Sequence, residues 1–172
     1  TYLEWAKSTA SFAINRRTKG GPVDHDLPVL AAKDLEGKLR AVYLSYACHC
    51  TTLSHNKISG DWAGYAQENI QRQHPGTIAL VSAGCGADSN PAPGKGTQDE
   101  IAATHGREIG TKVATLLQQK LRPISGPLHV MFSNIDLHLA PLPSRAEWER
   151  RAQKNANRGG TVGYHARVHL NR

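Results

Sequence analysis

With 172 residues the chain fits one ordinary domain, and a globule of that size buries roughly 68–70% of the surface its unfolded chain would expose. Its 39% hydrophobic and 20% charged residues exclude a disordered or collagen-like chain, and no run approaches the ~20 apolar residues of a membrane-spanning helix. The formal net charge of +7 gathers late, where Arg145, Arg150, Arg151, Lys154, Arg158, Arg167 and Arg172 face only Glu147 and Glu149, a pattern read as a solvated face and not as a nucleic-acid surface.

In chain order, Thr1 to Phe12 predicts a helix. Gly20, Gly21 and Pro22 then punctuate the chain, and Leu27 to Lys33 and Leu39 to Cys50 predict two strands of a hairpin, joined by Asp34-Leu35-Glu36-Gly37-Lys38. In the second strand Val42, Leu44, Tyr46, Cys48 and Cys50 point one way, and Tyr43, Ser45, Ala47 and His49 the other. A helix opens near Asp61 with Trp62, Tyr65, Ala66, Asn69 and Ile70 at helical spacing, and His74-Pro75-Gly76 stops it.

Thr77 to Ser82 predicts a short buried strand, followed by the loop Ala83-Gly84-Cys85-Gly86-Ala87-Asp88-Ser89-Asn90-Pro91. Thr97 with Glu100 makes a capping box, and Ile101, His105, Ile109, Val113, Leu116 and Leu117 line one face of a helix reaching about Leu121. Leu128 to Leu139 predicts a further strand. Ser144 with Glu147 forms a second capping box, opening a basic helix that Gly159-Gly160 ends. Strands alternating with helices predict an α/β layered architecture, a mixed β-sheet flanked by helices. Residues 1–172 are expected to form a single partial domain, cut at both ends from a larger catalytic domain.

Several chemical motifs fail on spacing. Cys48-His49-Cys50 resembles a metal knuckle, but a strand turns the histidine away from both thiols, and no second ligand pair lies at finger spacing. Three cysteines are also too few for a disulfide framework. Pro93-Gly94-Lys95-Gly96-Thr97 has Gly96 where a phosphate loop needs Ser or Thr, and Gly84-Cys85-Gly86 lacks the third glycine of a dinucleotide fingerprint. Asp24-His25-Asp26 is explained by turn chemistry and solvated charge, and His105 by a core position.

Two places remain. His49, near a strand end and followed by Thr51, Thr52, Ser54, His55 and Asn56, is a candidate metal ligand or catalytic base. The glycine loop presents Asp88, Ser89 and Asn90, with backbone amides able to hold an oxyanion or a hydroxyl able to attack; an ordinary polar loop is the other reading.

At these places the run from Tyr46 to Leu53, followed by Ile58-Ser59-Gly60-Asp61-Trp62-Ala63-Gly64-Tyr65-Ala66, resembles the neutral/alkaline ceramidases. Asn15-Arg16-Arg17, Val23-Asp24 and the loop Gly86-Ala87-Asp88-Ser89-Asn90-Pro91 are similar to stretches of that family in the same order. The resemblance implies a zinc-dependent amide hydrolase, cleaving an N-acyl bond such as that of N-acylsphingosine, with zinc (Zn2+) held by two His, a Glu and a Tyr beside a Ser. His49 matches the second histidine, and the other three ligands would lie outside this chain. The family's Ser position falls on Asn90, with Ser89 one residue early. Either Ser89 substitutes, or activated water attacks with Asn90 as a donor to the oxyanion. Arg16 would bind a substrate or anionic group. The same resemblance implies a small-molecule or lipid amide substrate, no nucleic acid, peripheral membrane contact and an extracytoplasmic location. The alternatives are a family member that has lost catalysis and binds through the old cleft, a hydrolase of a different amide or ester substrate and, ranked last, a basic nucleic-acid-binding domain resting on the tail from Arg145 to Arg172.

Overall fold

The computed structural model describes residues 1–153 and 161–171, which divide into two compact units, Thr1–Pro127 and Leu128–Arg172. The first unit contains strands β1 (Tyr2–Thr9), β2 (Ala13–Asn15), β3 (Asp26–Lys33) and β4 (Leu39–Tyr46), helix α1 (Asp61–Gln73), strands β5 (Ile78–Ala83) and β6 (Ser89–Pro91), helix α2 (Gln98–Leu117) and strand β7 (Arg122–Ile124). Five strands form a mixed sheet in the order β5-β4-β3-β1-β7, in which only the β4/β5 pair is parallel. The small strands β2 and β6 pair antiparallel as a second sheet. This is the expected α/β layered arrangement.

The β3–β4 hairpin forms as its turn chemistry dictates. Asp34 accepts the Gly37 amide at 3.1 Å and donates its own to Lys38 at 3.0 Å, while its carboxylate takes the Lys38 amide at 2.8 Å. Gly37 supplies the left-handed backbone (φ 81) that closes the turn. Alternation then buries Leu27, Val29 and Ala31 of β3 and Val42, Leu44 and Tyr46 of β4. Helices α1 and α2 cover that face through Trp62, Ala66, Ile70, Ile109, Val113 and Leu116.

The two helices approach closely because glycine lines their contact. A Cβ on Gly106 would stand 2.5 Å from the Tyr65 Cβ and 2.8 Å from the Trp62 carbonyl oxygen. The α2 capping box is complete: the Thr97 side chain accepts the Glu100 amide, and the Glu100 carboxylate accepts the Thr97 amide. His105 is a core histidine, as expected, donating to the Ala92 carbonyl at 3.0 Å and stacked on Phe12 at 4.3 Å.

Four expectations are corrected. Residues 2–9 are a strand, not a helix: β1 pairs along its whole length with β3, and Lys7–Asp26 (2.7 Å) and Lys33–Glu4 (2.6 Å) ion pairs tie the two strands. The helical preference of Glu, Ala and Lys yields there to tertiary pairing. The second hairpin strand stops at Tyr46, short of Cys50, where the Cys48 amide turns back to the Tyr46 carbonyl. The strand after α1 lies at the sheet edge, so Ile78 and Leu80 on its uncovered face are exposed. Residues 128–139 form no strand: among the described residues none pairs with them, and Leu128, Met131, Phe132, Ile135, Leu137 and Leu139 are exposed. Alternation fits a strand only where a neighbour satisfies its backbone.

The second unit contains α3 (Arg145–Gln153) and α4 (Thr161–Leu170). Trp148 stacks on His169 at 4.5 Å between these helices, and Arg167 donates to the Ala152 carbonyl at 3.3 Å. The Ser144 hydroxyl accepts the Glu147 amide, which is half of the expected box; the Glu147 carboxylate instead takes Arg150 and Arg151, each at 2.7 Å. The expected stop at Gly159-Gly160 lies outside the described residues.

Candidate active site

The site assembles where three chain segments meet at the end of β4. The β2–β6 ladder pairs Asn15 with Ser89 and Ile14 with Asn90, and so lays the segment after β2 along the glycine loop. Arg16 donates its amide to the Asp88 carbonyl at 2.7 Å and its Nε to the Ala87 carbonyl at 3.0 Å. Asn15 is the hub of this corner. Its Nδ2 donates to the Pro22 carbonyl (2.9 Å) and the Asp88 carboxylate (3.1 Å), and its Oδ1 accepts the Arg17 and Thr18 amides.

His49 arrives from the other side. Its amide donates to the Ser89 carbonyl at 3.0 Å, and its ring Nε2 lies 3.3 Å from the Ala87 carbonyl. A carbonyl oxygen only accepts, so that contact is a hydrogen bond with the proton on Nε2, which leaves the Nδ1 lone pair of the neutral ring free. One carbonyl, that of Ala87, thus receives both Arg16 and His49, two residues far apart in sequence.

The glycines of the loop serve close approach. A Cβ on Gly86 would lie 2.5 Å from the Ala47 carbonyl carbon and 2.6 Å from the Cys48 nitrogen, backbone against backbone. The amides of Gly84, Gly86 and Ser89 are engaged within the protein, with the carbonyls of Tyr46, Gly84 and Gly86 respectively.

Ser89 and Asn90, adjacent in sequence, have different surroundings. Ser89 is 1% exposed, its hydroxyl 3.5 Å from the Asp88 carboxylate. Asn90 is partly exposed, yet its Oδ1 is buried without a hydrogen-bond partner among the described residues. An orphaned acceptor costs about 1–3 kcal/mol, which a ligand or water at Asn90 would offset.

Cys48 is buried, and desolvation, with Cys50 and Asp61 nearby, pushes its thiol up to about 12, so without a metal it stays protonated at neutral pH. Among the described residues no three His, Cys, Asp or Glu side chains gather to hold a metal ion. A single histidine does not make a zinc site by itself.

Sequence reasoning missed Asn15, Asp61 and Trp62 as architects of this corner. Asp61 is buried, has a left-handed backbone (φ 51), and accepts the amides of Leu53 at 2.8 Å and Trp62 at 2.6 Å. The Trp62 indole donates to the His49 carbonyl at 2.9 Å. The available signal was Ser59-Gly60-Asp61 immediately before a helical run, which is a helix-start pattern.

No protein-family model and no curated protein sequence matches the chain. Solved structures do. The neutral ceramidase of Pseudomonas aeruginosa matches with a TM-score of 0.65 at 19% identity, over 73% of this chain and 24% of that one. A ceramidase structure complexed with C2 matches with a TM-score of 0.66 at 17% identity, over 73% of this chain and 23% of that one. The chain thus spans about a quarter of the length of these structures, and over most of its own length it carries the fold of that part of neutral ceramidase.

Proposed function

We propose that the protein is a ceramidase-like hydrolase that cleaves an N-acyl bond with the help of zinc. The observation that carries this reading is the convergence of Arg16 and His49 on the Ala87 carbonyl within a ceramidase-like fold. His49 would contribute one zinc ligand through Nδ1, the remaining ligands coming from outside the described residues. Zinc bound there would polarise an amide carbonyl and acidify water.

The roles of this chain's own residues follow from their surroundings. Asn90 would accept a hydrogen bond from the attacking water or the substrate N–H through Oδ1 and offer Nδ2 to the developing oxyanion. Arg16 would hold the loop and face an anionic group of the substrate. Burial of Ser89 favours direct attack by water over an acyl-serine route. The substrate class, a lipid or small-molecule amide, and an extracytoplasmic location rest on the likeness to ceramidases.

The test is metal analysis of the full-length protein, wild type against His49→Ala, with hydrolysis of a fluorescent N-acylsphingosine measured on the same samples. Zinc and turnover are expected to fall together. Full activity at normal metal content in His49→Ala would refute the assignment. Zinc without hydrolysis in the wild type would instead favour a binding protein, or another amide substrate, for which Asn90 at the expected Ser position speaks.

A further inference from the structure

We propose that Asp61 and Trp62 are positioning residues for His49, clamping the loop that carries it so that the ring keeps Nε2–H on the Ala87 carbonyl and Nδ1 as its lone-pair nitrogen. The proposal rests on the reading of His49 given above, and deepens it.

After β4 the chain leaves the sheet and is not held by a ladder between Ala47 and Gly60. A histidine on such a loop would sample many orientations unless something fixes it, and a ligand or base must be held within about 0.5 Å of its working geometry. Four contacts supply the restraint. The His49 amide is tied to the Ser89 carbonyl at 3.0 Å and the His49 carbonyl to the Trp62 indole at 2.9 Å. Four residues on, the Leu53 amide is tied to the Asp61 carboxylate at 2.8 Å, and the ring itself reaches the Ala87 carbonyl.

Two of these four anchors are consecutive residues at the start of α1, and neither is free to drift. Trp62 is 0% exposed and packs edge-on against Phe12 and Tyr46 in the core. Asp61 sits at φ 51, a conformation that Asp tolerates and most residues do not. The turn before it requires Gly60, where a Cβ would meet the Gly64 Cα at 2.8 Å. The Ser59-Gly60-Asp61-Trp62 run grips the histidine loop through the Trp62 indole and through Asp61. Its two carboxylate oxygens have distinct partners, Oδ1 the Trp62 amide and Oδ2 the Leu53 amide. An Asn at this position would turn an NH2 group toward one of those N–H donors.

The test uses the full-length protein stripped of metal, so that no ion fixes the ring, with the His49 tautomer read from long-range nitrogen–proton correlation spectra. Wild type is expected to show the Nε2–H form. Asp61→Asn and Trp62→Phe, the latter keeping an aromatic ring but removing the indole donor, are each expected to give a mixture of tautomers. In the metal-loaded enzyme turnover should fall about 10–100-fold, the range seen when groups behind a ligand are removed. Val113→Ala, a core change away from the loop, serves as a control for destabilisation and should leave the tautomer unchanged. An unchanged Nε2–H form in both variants, or an equal shift in Val113→Ala, would overturn the proposal. A tautomer shift in a protein whose wild type neither binds zinc nor hydrolyses the amide would defeat the functional reading while upholding the clamp.

Discussion

Replacing Gly106 by Ala should destabilise the protein, although in an isolated helix the same change stabilises by about 1 kcal/mol. Gly106 lies within α2, where the helix backbone alone would welcome a Cβ. The added carbon would sit 2.5 Å from the Tyr65 Cβ, 2.7 Å from the Ala66 nitrogen and 2.8 Å from the Trp62 carbonyl oxygen. Carbon pairs rest at ~3.5–4.0 Å, so α1 must retreat by about 1 Å, and a gap of that order forfeits a quarter to a half of each contact's attraction. Overpacking costs about 1–3 kcal/mol, and a clash against main-chain atoms falls in the upper part of that range, about 2–3 kcal/mol, so that after the helical gain a net loss of about 1–2 kcal/mol remains. At roughly 4 °C per kcal/mol for a domain of this size, Tm should drop by about 4–8 °C. Gly110 provides the internal comparison, because there the three nearest atoms to the new Cβ belong to the Asn69 side chain, whose carboxamide can swing aside while its Cβ, at 3.0 Å, must give by a few tenths of an ångström. Thermal or urea unfolding of Gly106→Ala and Gly110→Ala measures both. A Tm for Gly106→Ala at or above wild type, or a larger loss in Gly110→Ala, would refute the reasoning.

Other consequences can be checked separately. Thr97→Ala removes the acceptor of the α2 capping box and should cost about 1 kcal/mol in urea unfolding. The backbone and side-chain hydrogen bonds from Thr97 hold the Glu100 carboxyl below its ordinary range, so its contribution is present above the unfolded carboxyl's pKa and lost as pH falls through the lowered folded value. The stability difference between wild type and Thr97→Ala should accordingly shrink under acid, and a difference constant from pH 7 to pH 3 would contradict this. Cys48, with its thiol pushed up to about 12, should resist iodoacetamide at pH 8 while exposed Cys85 is labelled, as peptide mass mapping will show; preferential labelling of Cys48 would count against the burial argument. Asn90→Ala should lower turnover more than Ser89→Ala does, and a trapped acyl adduct on Ser89 would reverse that ranking.

Where local chemistry and tertiary demand agree, the elements were legible in the sequence. The α2 helix carries both halves of its capping box and a continuous apolar stripe, and the β3–β4 turn has Asp34 and Gly37 where the hydrogen bonds require them. The misreadings share a cause. The β1 segment has residues that suit a helix, and only its neighbours, β3 on one side and β7 on the other, make it a strand. Residues 128–139 have the alternation of a strand but no partner among the described residues, and a periodic pattern states which side chains could share a face, not whether a neighbour exists.

The site was legible in its members and opaque in its connections. His49, Ser89 and Asn90 could be named from the sequence because glycine loops and strand ends collect chemistry, whereas Arg16 was named only through the resemblance of Asn15-Arg16-Arg17 to a ceramidase stretch. What joins them is the Ala87 carbonyl, a main-chain atom that no residue pattern announces, reached by Arg16 through the β2–β6 ladder and by His49 across the end of β4. Asn15 and Asp61 were passed over for the same reason, since their work is to satisfy backbone amides of distant loops. Alternation along β4 suggested that His49 projects from a strand, yet the strand ends at Tyr46, and its direction is set by Ser89, Trp62 and Ala87. The geometry that would let a single imidazole work is therefore non-local, and substitutions at Asp61 or Gly106 should reach His49 through the backbone without touching any substrate.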